Sequence, residues 1–358
     1  MKDILIQPRG NGEPPESAKV IFLRPLSIIH VDTEQNWRGG QESLLTLARG
    51  LRLRGYRQTI VCPPSSMLAE RAQAAGFPIE RLGMRNADII HAHGGRALTL
   101  AFWKTFDSRR VHRVVTRHVS FRPRNPWMHR LKYRWACEGV IAVSDAVRRG
   151  LIATGVPSAK IEVIHTGIEV REPAPRDKSR FGLSEMDFVI GHMGAFTKEK
   201  GQNVAVAAAA LLRESMPYAR FILAGDGILL NDLRRSATEN VKFPGFVADH
   251  AAFFGALDLF IMPSRSEAWG LAALEAMAHG VPVIASDVGG LPEIVEPGNG
   301  GWLVPAGDPA ALARTIMEAA SSPYRLHEQG EKARERARTF SIASMVEQTE
   351  AFYRRFAK

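Results

Sequence analysis

Glu267 and Glu275, with seven residues between them, mark the two ends of a turn-to-helix unit that runs from Pro263 to Gly280 between two apolar segments. A carboxylate held on such a helix can accept two hydrogen bonds from vicinal hydroxyls, as on a ribose. The amides exposed where the helix begins, at Gly270 and Leu271, favour a phosphate. Lys198 and Lys200, in a Lys-Glu-Lys-Gly run, can put positive charge on that phosphate. A glutamate or lysine is most often a solvated surface charge. Here the order of the surrounding segments argues for a ligand site.

Those segments read as strands feeding loops and helices. Residues 259–262, Leu-Phe-Ile-Met, form a short apolar run stopped by Pro263, the pattern of a buried parallel strand. Ser264, Ser266 and Gly270 make the turn, and the helix through Leu271, Leu274 and Ala278 stops at Gly280 and Pro282. Glu267 is therefore placed in the loop at the carboxyl end of a strand, where open α/β sheets bind ligands. Residues 188–194 repeat the pattern, a strand ending at Gly194, followed by the Lys198–Lys200 turn and an alanine-rich helix over 204–212. Residues 221–227 and 241–246 are two more strands that end in glycine turns at Gly225 and Gly245.

The first half supplies similar units. Residues 26–31 are an apolar strand, and Trp-Arg-Gly-Gly-Gln at 37–41 opens a helix through Leu44, Leu45, Leu47 and Leu51. Gly39 and Gly40 at its start let the backbone approach a bulky anion. Residues 114–118 form a strand ending in His118. Residues 89–95 form another that carries His91 and His93, which we expect to face apart, so that they share no metal. No cysteine and histidine spacing elsewhere suggests zinc.

Taken in order, the strand at 259–262, Pro-Ser, Glu-x7-Glu, Gly-Val-Pro-Val at 280–283 and Gly-Gly-Leu-Pro-Glu at 289–293 resemble the retaining, GT-B-fold glycosyltransferases of family 4, also called group 1. The resemblance implies two Rossmann-like, doubly wound parallel-sheet domains facing each other across a cleft. It implies a nucleoside diphosphate sugar as donor substrate, UDP-linked in many members, with no metal or other cofactor. Carried over position by position, Lys200 matches the diphosphate-binding lysine and Lys198 lies beside it. Gly39 and Gly40 match the glycine loop that faces donor diphosphate and acceptor. Gly194, Gly225 and Gly245 line the nucleotide cleft, with Gly270 and Leu271 at the phosphates and Glu275 on the ribose. Glu267 positions a sugar hydroxyl, and His118 touches the transferred sugar. Ala195 departs from the pattern, which often has an arginine there.

Composition sets the frame. A chain of 358 residues is long enough for two domains that each bury a core. We expect a loose polar tail at 1–20, an acceptor domain at 21–170 and a donor domain at 171–340, divided near Pro173 and Pro175. By the resemblance, a helix near 341–358 packs back on the acceptor domain. The opening residues lack the apolar core of a signal peptide, and the longest apolar run, 204–212, is far short of the ~20 residues that span a bilayer. Cys62 and Cys137 make no disulfide framework, so a reducing cytoplasm is expected.

Charge is unevenly spread. Residues 1–170 hold 26 Lys and Arg against 14 Asp and Glu, and the rest hold 21 against 23. From Arg109 to Arg134 there are nine basic residues and no acidic one, interleaved with Phe121, Trp127 and Tyr133. Such a mixture suits an anionic membrane surface or an anionic glycan or glycolipid acceptor. We therefore expect a lipid-linked or lipopolysaccharide-type acceptor of cell-envelope synthesis, reached by peripheral contact with the cytoplasmic face of the inner membrane. Two rival functions are a nucleic-acid-binding protein, which leaves Glu267, Glu275 and Lys200 without a role, and a catalytically weak GT-B-like scaffold.

One segment fits poorly. Residues 77–82 and 88–91 both read as strands, yet only 83–87 separates them, and parallel neighbours need a crossover of a dozen or more residues. Either the first is not a parallel strand or an element of the acceptor domain is missing.

Overall fold

The computed structural model describes residues 26–80, 84, 87–108, 110–119, 125–170, 172 and 175–357. The expected tail at 1–20 lies outside them, as do Arg109, Phe121, Arg122, Arg124, Pro173 and Lys358.

Two parallel seven-stranded sheets, each with helices around it, make up the molecule. The first contains β1 (Ser27–Val31), β2 (Arg57–Val61), β3 (Ile79–Glu80), β4 (Ile89–His93), β5 (His112–Arg117), β6 (Gly139–Ala142) and β7 (Ile161–Val163). Its helices are α1 (Gly39–Leu53), α2 (Met67–Ala74), α3 (Gly95–Thr105), α4 (Pro126–Trp135) and α5 (Asp145–Ala153). The second contains β8 (Phe188–Met193), β9 (Ala219–Ala224), β10 (Val241–Gly245), β11 (Leu259–Met262), β12 (Val283–Ser286), β13 (Glu296–Pro297) and β14 (Gly300–Val304). With it go α6 (Gln202–Leu212), α7 (Leu230–Ser236), α8 (His250–Gly255), α9 (Leu271–Ala278), α10 (Leu291–Ile294), α11 (Pro309–Ala320) and α12 (Pro323–Arg338). α13 (Ile342–Arg354) follows.

Strand order is 3-2-1-4-5-6-7 in the first sheet and 10-9-8-11-12-14-13 in the second. The order switches direction between β1 and β4 and between β8 and β11, and the second sheet reverses again at its edge, where β13 lies outside β14; a crevice opens at such a central switch point beyond the strands' carboxyl ends. The central strands β11 and β12 are near-continuous apolar runs, buried throughout, because both faces of the sheet are covered there. β4 is buried throughout, including its two histidines.

The strand order decides part of the difficulty at 77–91. β3 pairs with β2 (Ile60 opposite Ile79), whereas β4 pairs with β1 on the other side (Ile28 opposite Ile89). The two segments are not neighbours, and β3 is itself a parallel strand, so the first of the two alternatives fails. β3 is a two-residue parallel strand at the sheet edge.

α13 belongs by packing to the first sheet. Its Met345, Val346, Phe352 and Tyr353 are buried in one cluster with Leu26, Ile28, Leu51, Val114 and Ile141. Ser341 caps it by accepting from the Ser344 amide, and Ile168 and Ile342 are joined by a backbone hydrogen bond at the bridge between residues 168 and 341. Gly139 makes room for it, since a Cβ there would stand 2.5 Å from Phe352 Cζ.

Candidate functional site

Two loops at the second switch point are laced together. The turn after β8 that carries Lys198 and Lys200 receives the amides of Arg265 and Ser266 on the Glu199 carbonyl, at 2.7 and 3.3 Å. Gly201 closes that turn at φ +67°, and its missing Cβ would lie 2.0 Å from Pro263 O. The lacing brings Lys200 Nζ to 2.5 Å from the Glu267 carboxylate, joining two residues 67 apart in sequence. Lys198 is in the same short turn.

α9 starts beside this pair. Gly270 takes φ +116° at its N-cap, and a Cβ there would meet Leu291 at 2.6 Å, so the helix begins where only glycine fits without strain. Leu271 is the first residue of the helix, and Glu275 lies one turn further on, paired with His250 Nδ1 at 3.2 Å. That hydrogen bond is the largest influence on His250 and raises its pKa, against the opposing effect of burial. Gly194, Gly225 and Gly245 line up at the ends of β8, β9 and β10. The Gly194 amide donates to Ala224 O at 3.0 Å and the Gly225 amide to Gly245 O at 2.8 Å.

The first half faces these loops. A Cβ on Gly39, first residue of α1, would lie 3.9 Å from Leu271 Cδ2, and one on Gly40 would lie 3.5 Å from the His118 ring. Glu42, also in the first turn of α1, has its pKa raised, mainly by burial and next by the charge of Glu275 across the gap. Three further contacts hold the halves in register. Ser144 Oγ donates to Ala268 O at 2.6 Å, and Trp269 Nε1 donates to Thr166 O at 3.2 Å. The amides of Asp145 and Ala146 donate to the Glu293 carboxylate at 2.8 and 2.9 Å, so a side chain of the second half caps α5 of the first.

His118 directly follows β5 and is half-buried. Burial, and after it the charge of Arg117, lowers its pKa to about 4, so the ring is neutral at pH 7. Behind it the expectation for His91 and His93 is overturned. Residues two apart on a strand share a face, and these two rings lie 4.2 Å apart with His30 of β1 beside them. Ring nitrogens of all three histidines fall within 4.8 Å of one another, an arrangement that could hold a metal ion. Both ring nitrogens of each are already paired, however. His91 meets Tyr353 Oη and Thr116 Oγ1, each at 2.6 Å, His30 meets Gln58 and His93, and His93 meets His30 and His118.

The family described as "Glycosyl transferases group 1" matches residues 187–322, and "Glycosyltransferase Family 4" matches residues 75–172. Over 287 residues the chain is 30% identical to the N-acetyl-alpha-D-glucosaminyl L-malate synthase of Bacillus anthracis, a match covering 75% of this chain and 74% of that one. The chain belongs to the group 1, family 4 glycosyltransferases. This glycosyltransferase is also 32% identical over 235 residues to the D-inositol 3-phosphate glycosyltransferase of Mycobacterium bovis strain BCG Pasteur, covering 60% of its own chain. It spans about half of that relative's length, 48%. In fold it is similar to Anabaena Alr3699/HepE, solved in complex with UDP and glucose, with a TM-score of 0.82 and 24% identity over 91% of this chain and 98% of that one.

Nine of the residues singled out in this glycosyltransferase lie where the two halves face each other across a gap, while Gly194, Gly225 and Gly245 lie at the ends of β8, β9 and β10. Lys198, Lys200, Glu267, Gly270, Leu271 and Glu275 lie on the second-half side of the gap, and Gly39, Gly40 and His118 on the other. Sequence reasoning missed His30, Gln58, Glu42, His250 and the cap made by Glu293. The signal for His30 was the strand order, because with β1 beside β4 the register sets His30 opposite His91.

Proposed function

We propose that this glycosyltransferase moves a sugar from a nucleoside diphosphate sugar to an acceptor hydroxyl, with retention of anomeric configuration and without a metal ion. The observation that carries this reading is the Lys200–Glu267 pair beside the start of α9, with Glu275 one turn along and His118 opposite. Glu275 takes the ribose hydroxyls, exchanging its His250 contact for them. Lys200 and the amides at Gly270 and Leu271 hold the diphosphate, and Gly39 and Gly40 approach it from the other side. The bond from the anomeric carbon to the diphosphate oxygen breaks with its electron pair going to the diphosphate, where the lysine and amides stabilise the charge. The acceptor oxygen bonds to the anomeric carbon on the same face, and its proton passes to the departing phosphate oxygen. Glu267 then serves as an anchor for a sugar hydroxyl, and no protein carboxylate need act as nucleophile. The UDP and glucose complex of the similar Anabaena protein favours uridine as the base.

The acceptor is read as an anionic glycan or glycolipid of the lipopolysaccharide type, met at the cytoplasmic surface of an anionic membrane. α3 and α4 support this. Trp103, Phe106, Trp127, Met128, Leu131 and Trp135 are exposed on or beside these helices, among Lys104, Arg130, Lys132 and Arg134. Indole rings mixed with cations suit the headgroup region of such a surface. No helix among the described residues is long and apolar enough to cross a membrane. The relatives named for malate and inositol 3-phosphate also favour an acceptor that carries negative charge.

Saturation-transfer NMR against UDP-, GDP- and ADP-sugars, with chelator present, tests the donor site. One donor should bind the wild type and bind Glu275→Ala more weakly. A folded wild type that binds none of them would sink the proposal.

A further inference from the structure

Three of the four clustered histidines, His30, His93 and His118, are joined by hydrogen bonds whose direction is fixed from one end. Gln58 Nε2 donates to the backbone carbonyl of Ala48 in α1 at 2.9 Å. A carbonyl only accepts, so the amide nitrogen must point there and Gln58 Oε1 must face His30 Nε2, also at 2.9 Å. Turning the amide over would set two oxygens against each other in a buried place. His30 Nε2 therefore carries a hydrogen. In a neutral ring its Nδ1 is then bare and accepts from His93 Nε2 at 3.2 Å. By the same step His93 Nδ1 is bare and accepts from His118 Nε2 at 3.4 Å.

The rings are neutral as this chain requires. Burial lowers His30 to about 4 and takes His93 well below its ordinary value, helped by the neighbouring histidines. What remains is His118 Nδ1, which has no hydrogen-bond partner in the protein among the described residues and is not sealed from water.

We propose that Gln58, His30 and His93 are positioning residues that fix His118 as the Nε2–H tautomer, so that its Nδ1 offers the gap a lone pair that selects a substrate hydroxyl and disfavours a carboxylate or phosphate at that point. The chain ends at an amide, which passes no proton onward, so His118 serves as a hydrogen-bond acceptor and not as a base with an outlet. This rests on the transferase reading only where it names the hydroxyl as one of the donor sugar. The tautomer itself rests on the hydrogen-bond geometry and on the neutrality of the buried rings. A metal ion at His30, His91 and His93 is the competing arrangement, because it would take the lone pairs that the chain uses.

Long-range proton–nitrogen NMR of the full chain with labelled histidine, at pH 7, tests the proposal, with the His118 signals assigned by their loss in His118→Gln. The expected result is one tautomer, Nε2–H, in the wild type and in His93→Asn, whose Oδ1 stands where Nδ1 stood. In His93→Leu both tautomers should appear. Donors lacking one hydroxyl at a time provide the second reading. For one of them kcat/KM should fall about tenfold or more in the wild type and in His93→Asn, and much less in His93→Leu, as expected when a built hydrogen-bond site loses its partner. An Nδ1–H tautomer or an imidazolium in the wild type would overturn the proposal. So would an unchanged tautomer in His93→Leu, or one equivalent of metal that co-purifies with the wild type and is lost in His30→Asn. A fixed tautomer in a protein that binds no nucleotide sugar would refute the transferase reading and, with it, the sugar hydroxyl as the group selected.

Discussion

His30 and His118 take up a proton only near pH 4 in the folded chain, because burial disfavours the cation, with Arg117 adding to the effect at His118. In the unfolded chain they do so near pH 6.5. Between those values the unfolded chain binds more protons, so stability is full above about pH 6.5 and falls as the pH drops toward 4. The groups that meet these rings are Gln58 from β2, His91 and His93 from β4 and Arg117 from β5, with Ser43 and Thr116 lining the same cavity as His118. None of them is a carboxylate that would hold a protonated imidazole. Urea unfolding at several pH values should show this slope in the wild type and a shallower one in His30→Asn. Equal slopes would mean that other groups set the acid limit.

At the scale of elements, the unit from β11 through α9 is the part of the site most readable from residues alone. Pro263, Gly270 and Gly280 each do something local, ending a strand, opening a helix and closing it, so the position of Glu267 needed no knowledge of the rest of the chain. Gly270→Ala should cost about 1–3 kcal/mol, since alanine would be held at positive φ, and its Cβ would press on Leu291. A thermal melt with and without donor checks this, and an unchanged midpoint would show that α9 can start elsewhere. The histidine cluster was not legible in the same way. Which face His91 and His93 present follows from the two-residue period of a strand, but that His30 stands beside them depends on β1 lying next to β4, a tertiary fact. The contact between Lys200 and Glu267 is hidden for the same reason, since two loops 67 residues apart meet only because β8 and β11 are neighbours.

Across the whole molecule, the halves meet through apolar packing and a few directed contacts. Ser144, Trp269 and Glu293 each place a donor or acceptor against the other half's backbone. α13 is the larger link, because it follows the second sheet in sequence and completes the first sheet's core. Phe352, 2% exposed, fills the space that Gly139 leaves open. Phe352→Ala should remove about 3–5 kcal/mol, the usual cost of emptying a buried aromatic site. Hydrogen exchange should show the loss in β1, β5 and β6 while β8 to β12 keep their protection. Uniform loss across both sheets would show that the halves unfold together.

That same helix sets an order of events during synthesis. A ribosome adding about 5–20 residues per second takes roughly 10–40 s to travel from the end of β7 to α13. Through that interval the first sheet is fully translated yet lacks Met345, Phe352 and Tyr353, and the apolar surface they will cover around Leu26, Ile28 and Ile141 stays open to other chains. The second half, whose strands and helices all precede α13, can close its own core in the meantime. The half translated first is thus the half finished last, and the newly made chain is most exposed to aggregation on its first sheet.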